Sequence, residues 1–264
     1  MSNEELEEGK RFQEHLEELL IRARRALIAI VIGMAIASII PARINPSYET
    51  LVSYLIQKIE VDLLPEGVVL MASSWTGVIM TYFYLSFLIG FLMASPVVSY
   101  EIYKYVAPAL YPHEKRHLTW FTASFTGLFV LGVLFAYFLL LPWTYKFLIR
   151  FAYMVGASPF FSVDDFLSFT VIVMLAVGLT FTFPVITTLL VKVGVITPEA
   201  LTSHWRETVL AIFIISALIT PDVSGFTMIM LAAPIIALYC LAVAVAKIIY
   251  KGEAKTAEKQ PSQA

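Results

Sequence analysis

A chain of 264 residues that is 59% hydrophobic and 14% charged, with a mean hydropathy of +0.81, is too apolar for a water-soluble domain, whose apolar share is usually about 45–50% even with glycine counted. The net charge of −2 says little by itself, because membrane proteins are read by where Lys and Arg lie rather than by their sum. The single cysteine, Cys240, excludes an intrachain disulfide and gives no expectation of redox chemistry.

The N-terminus, MSNEELEEGKRFQEHLEELL, is acidic and patterned like a helix. It lacks the basic, apolar, small-residue order of a cleaved signal peptide, so no removal is expected. Apolar runs that can cross a hydrocarbon core roughly 30 Å thick, which takes about 20 helical residues, then follow in order. The first covers residues 21–40 and stops at Pro41. The second covers 78–106, and the third covers 117–141, ended by Pro142. The fourth covers 166–191. The fifth, 205–220, is short, with a polar flank of His204-Trp205-Arg206-Glu207 and a stop at Pro221. The sixth covers 226–249, with Pro234 as a candidate kink. The expectation is an all-α polytopic membrane protein of six transmembrane helices in a single domain, 1–250, followed by a disordered cytoplasmic tail, 251–264. Between spans, residues 47–58 alternate apolar and polar at helical spacing, and an aromatic-rich stretch follows Pro142. Both suit interfacial helices on the outer surface.

With the N-terminus inside, 14 of the 18 Lys and Arg fall in inside segments, and only Arg43, Lys58, Lys146 and Arg150 fall outside. That bias predicts both termini in the cytoplasm. The centres of the six spans carry no Asp, Glu, Lys, Arg or His. Ion-coupled transporters usually place such groups at mid-membrane, so a solute permease or channel is the less favoured reading. No internal repeat, Walker sequence or G-x-S-x-G is present.

One motif invites an enzyme. His113-Glu114-x-x-His117 fits the H-E-x-x-H pattern, in which two His one turn apart bind zinc and the Glu is general base. It begins directly after Pro112 at the start of a helix, and no residue at a fixed downstream spacing completes it. His204, Glu207 or Glu101 could supply a third ligand from the same side. A membrane zinc protease is therefore the weaker alternative, and no metal, cofactor or catalytic residue is expected.

A wider window reads differently. "PVVSYEIYKYVAPALYPHEKR" (96–116) resembles the signature of the TatC family, the signal-peptide receptor of twin-arginine protein translocation, in which a Pro-Ala-Leu turn precedes a charged cluster. "HLEELLIR" (15–22), "DDFLSF" (164–169), "GVITPEAL" (194–201) and "LITPDV" (218–223) are similar to further family stretches, so the resemblance runs along nearly the whole chain. It implies an inner-membrane receptor, not an enzyme, that binds twin-arginine signal peptides of folded cargo. Its partners would be small single-span subunits in an oligomeric complex driven by the proton-motive force, with no cofactor and no nucleic acid.

The resemblance also places roles. Glu18 and Glu114 match the two acidic positions implicated in binding the paired arginines. Arg22 and Arg116 match the bases beside them, and Tyr105 stands where the family usually has Phe. Asp222 matches the aspartate of the last outside loop. A carboxylate takes a guanidinium bidentately, a fork that Lys cannot reproduce, so the chemistry suits the assignment. Three positions depart from the pattern. Leu20 stands where an Arg usually follows Glu-Leu, and a proline common in the first outside loop is replaced near Tyr54. Thr182 stands where the fourth helix often carries a Glu or Gln that contacts a single-span partner.

Overall fold

The computed structural model describes residues 3–43, 49–65, 68–106, 118–154, 156, 160–219 and 225–258. Long apolar segments become helices because in lipid a helix is the one local structure that satisfies every backbone N–H and C=O within the segment. In chain order the elements are α1 (Asn3–Ile39), β1 (Pro41–Arg43), β2 (Glu49–Thr50), α2 (Leu51–Leu63), β3 (Val69–Met71) and α3 (Trp75–Val106). Then come α4 (Leu118–Phe135), a π turn (Ala136–Leu140), α5 (Leu141–Met154), β4 (Phe160–Ser162), α6 (Val163–Phe181), α7 (Phe183–Lys192), α8 (Pro198–Ser203), α9 (Trp205–Ile219) and α10 (Phe226–Glu258). Strands β1 and β2 pair antiparallel, β3 and β4 pair parallel, and both ladders are brief ties between connections of an otherwise helical protein.

Four helical stretches are long and apolar enough to cross a membrane: Trp75–Val106, Leu118–Met154, Val163–Lys192 and Phe226–Ile248. They coincide with the second, third, fourth and sixth expected spans. The other two fall short for identifiable reasons. The last 18 residues of α1 still include Arg22, Arg24 and Arg25, and α9 has only 15 residues.

Local chemistry moves several boundaries. The third span does not stop at Pro142. The π turn, closed by the Leu141 N–H on the Ala136 carbonyl, widens the helix just ahead of the proline, which has no N–H to offer. The aromatic stretch expected as a separate interfacial helix thus continues the same rod to Met154. The fourth span breaks at Thr182, two residues before Pro184, which opens α7 as a first-turn proline. Helix α2 forms where the amphipathic pattern placed one, capped by the Thr50 hydroxyl accepting from the Ser53 N–H at 3.2 Å. It buries Val52, Ile59 and Leu63. Helix α10 runs past Lys251 as far as Glu258.

The core gathers Leu85 and Leu88 of α3, Phe129 and Val133 of α4, Leu167 and Val177 of α6 and Leu231 of α10, all under 5% exposed. Large apolar side chains such as Ile32, Trp120 and Phe138 point outward at 53%, 75% and 70% exposure, as expected where the solvent is hydrocarbon. Two glycine contacts set the helix spacing. A Cβ on Gly132 would lie 2.8 Å from the Phe181 Cβ and 2.9 Å from the Gly178 Cα, and one on Gly33 would lie 2.7 Å from the Gly90 carbonyl oxygen. Small residues at such crossings let backbones approach and supply the packing that holds helices together in lipid.

Candidate functional site: a carboxylate–guanidinium cluster between α1 and α3

The Gly33–Gly90 contact determines what lies at the far end of the α1–α3 pair. The helices run antiparallel: the Ser38 and Ser86 hydroxyls lie 3.2 Å apart on one side of the glycine contact, and the His15 and Tyr105 rings meet on the other. Eleven residues separate Gly33 from Arg22 and Gly90 from Glu101. Eleven residues are about three turns and about 16.5 Å, so both side chains return to the glycine face at the same height.

They do meet there. The Arg22 Nη1 donates to Glu101 Oε2 at 3.3 Å. Its Nε and Nη2 both donate to Glu18 Oε1, at 3.1 and 2.5 Å. Arg25 Nη1 lies 3.9 Å from Glu101 Oε1, and His15 Nδ1 lies 4.0 Å from Glu18 Oε2. His15, Glu18, Arg22 and Arg25 recur at three- and four-residue spacing and therefore share one face of α1. Glu101 and Tyr105, four apart, share the facing side of α3. The Tyr105 ring sits edge-on to His15 with centroids 6.4 Å apart.

Burial grades the cluster. Glu101 is enclosed at 7% exposure, and the Arg22 side chain is 17% exposed, whereas that of Glu18 remains 33% exposed. A carboxylate as enclosed as Glu101 is costly without a counter-charge, which Arg22 supplies. Glu18 instead opens onto a groove lined by Glu14, Glu17, Ile21, Arg22 and Arg25. Chemically the arrangement is a half-buried carboxylate open to a groove, with one oxygen engaged by an internal guanidinium, backed by a buried carboxylate.

Of the residues singled out in the sequence, the structure brings Glu18, Arg22 and Tyr105 together. Thr182 stands apart, at the α6–α7 break. It is 1% exposed, and its hydroxyl donates to the Leu179 carbonyl at 2.7 Å. Thr180, Thr187 and Thr188 likewise donate to the carbonyls of Ala176, Phe183 and Pro184. Glu114, Arg116 and Asp222, with His113 and His117, lie outside the described residues. Among the described residues no group of three His, Cys, Asp or Glu side chains is arranged to hold a metal ion. The member that sequence reasoning missed is Glu101, considered there only as a zinc ligand. Its one sequence signal is that it is the sole acidic residue in α3.

Comparison with known proteins agrees with this architecture. The family profile described as Sec-independent protein translocase protein (TatC) matches residues 14–234. The Sec-independent protein translocase protein TatC of Aquifex aeolicus is 36% identical over 236 residues, 89% of this chain and 94% of the relative. That of Escherichia coli K12 is 30% identical over 86% of this chain and 83% of the relative. A crystal structure described as the twin-arginine translocase receptor TatC superposes with a TM-score of 0.74 at 35% identity, covering 89% of this chain and 98% of that one.

Proposed function

The chain belongs to the TatC family of protein translocase subunits, and from that premise we propose that it is the receptor that binds twin-arginine signal peptides of folded cargo. Membership makes it a multi-pass membrane transport protein rather than an enzyme, and a component of the Tat translocase. The finer reading places it in the plasma (inner) membrane with six spans and both termini cytoplasmic. There it works with small single-span partner subunits in an oligomeric complex that draws on the proton-motive force. The 14-to-4 distribution of Lys and Arg supports the orientation.

One observation carries the receptor reading: Glu18, an accessible carboxylate, is held against the end of α3 by Arg22–Glu101 and His15–Tyr105. The segment that begins at residue 107 leads from there to Glu114. Glu18 and Glu114 are the proposed acceptors of the arginine pair, with Arg22, Arg116 and Tyr105 around them, Thr182 as a partner contact and Asp222 in the last outside loop.

The test is a pull-down of the full chain, in lipid nanodiscs, with a twin-arginine signal peptide and its twin-lysine counterpart. Retention by the arginine peptide alone is expected. Equal retention by both, or by neither, removes the receptor reading and reopens the permease and zinc-protease alternatives.

A further inference from the structure

We propose that Arg22 is a resident occupant of the Glu18 carboxylate, displaced by an incoming arginine, and that Glu101 is the positioning residue that receives Arg22 when this happens. The inference rests on the reading of Glu18 as an arginine acceptor and adds a regulation of that same site.

The geometry of Arg22 is that of a bound ligand. Two of its nitrogens, Nε and Nη2, converge on Glu18 Oε1, the interaction that a guanidinium from a signal peptide would need. A bidentate fork from a peptide arginine needs both carboxylate oxygens, and Arg22 already holds Oε1 of Glu18 through two nitrogens. An incoming arginine must therefore compete with Arg22, and the resident has the advantage of belonging to the same helix.

The third nitrogen of Arg22 already has its destination. Nη1 lies 3.3 Å from Glu101 Oε2, so leaving Glu18 needs a small rotation of the guanidinium and no passage into water. Glu101, at 7% exposure, is too enclosed to take a peptide side chain itself. What it can do is hold Arg22. The charges give the exchange its direction. Glu18, Arg22 and Glu101 together sum to minus one, and Arg25 covers the deficit only from 3.9 Å with its own side chain 61% exposed. One additional guanidinium neutralises the group, leaving peptide arginine on Glu18 and Arg22 on Glu101. A lysine ammonium satisfies the charge but not the fork, so it is the poorer competitor against a guanidinium already in place.

The test uses the full chain in lipid nanodiscs and the fluorescence anisotropy of a labelled twin-arginine peptide, with melting temperature as the check on folding. Glu101→Gln keeps the shape and removes the charge. Among the described residues Arg22 is then left with Glu18 as its one close carboxylate, and the peptide should bind about 10-fold more weakly, the scale of one charge-assisted hydrogen bond. Adding Arg22→Gln to Glu101→Gln frees Glu18 and should bring affinity back to the parental value or beyond. A scaffold role for Glu101 predicts no such rescue. Parental affinity in Glu101→Gln, or a double variant as weak as the single one, overturns the proposal. If Glu101→Gln does not fold, Arg22→Gln alone decides: tighter binding than the parent supports displacement, and equal or weaker binding overturns it. Glu18→Gln separates the two levels. If it leaves affinity unchanged, the acceptor reading fails and this inference with it; if it abolishes binding while the Glu101 series does not respond as stated, only the exchange fails.

Discussion

Arg22 and Glu101 stand 79 residues apart in the chain and 3.3 Å apart in space, so the guanidinium that engages Glu18 is also the nearest counter-charge of the enclosed Glu101 at the end of the α1–α3 pair. The contact pins the acidic start of α1 to the end of α3, from which the chain runs on in sequence toward Glu114.

If Glu18 and Glu114 accept the arginine pair, Glu18→Ala and Glu114→Ala should each weaken twin-arginine peptide binding by about 10- to 150-fold, the equivalent of roughly 1.5–3 kcal/mol per charge-assisted bond. Both variants should lose the preference over twin-lysine while still inserting and melting cooperatively. Glu14→Ala and Glu17→Ala, on the same groove, should bind as the parent does. Titration of all four with both peptides measures this, and parental affinity in Glu18→Ala would refute the assignment.

The glycine crossing gives a structural prediction. A Cβ on Gly90 would sit 2.7 Å from the Met34 backbone nitrogen and 2.9 Å from the Ile30 carbonyl oxygen, with no flexible side-chain end able to yield at either atom. Gly90→Val should cost about 1–3 kcal/mol through overpacking and should lower peptide affinity as Glu101 and Arg22 are pushed out of register. Gly127→Ala, inside α4 where an added Cβ meets nothing within 4 Å, is the control and should melt no lower than the parent, since Ala favours the helix over Gly. Thermal unfolding of both in one detergent reads the difference.

Thr182 satisfies its hydroxyl on its own backbone, so it has little left to offer a neighbouring helix, where a side-chain hydrogen bond is worth about 0.6–2 kcal/mol. A photoreactive group at Leu179, one turn earlier and 47% exposed, should cross-link weakly to a single-span partner. Adding Thr182→Gln should raise the yield. No change in yield would assign position 182 to packing alone.

Orientation can be read with thiol labelling in a Cys240→Ser background, since Cys240 is the single native cysteine. In intact cells a membrane-impermeant maleimide should label Lys58→Cys. Lys255→Cys should react only after permeabilisation. The opposite pattern would invert the topology.

Composition and hydropathy alone determined that this is a helical membrane protein, because a chain 59% hydrophobic has one economical way to satisfy its backbone in lipid. The strongest spans fall where the apolar runs lie, and the motif at 96–116 pointed to the family. Helix continuity was less legible. Pro142 reads as a stop, yet a π turn absorbs it, since the cost of a missing N–H depends on the hydrogen-bond register of the preceding turn. The family pattern suggested Glu18, Arg22 and Tyr105 as site residues, and the Glu18–Arg22 pair lies at the i,i+4 spacing of one helix face, but that Glu101 completes the group was not legible. That contact depends on Gly33 meeting Gly90, a pairing of two distant small residues that no local periodicity announces. Burial of Glu101 is likewise a property of the helix pair rather than of the residue. The sequence supplies each charge and its helical face; which charges meet between helices is settled only when two backbones come into contact about three turns away.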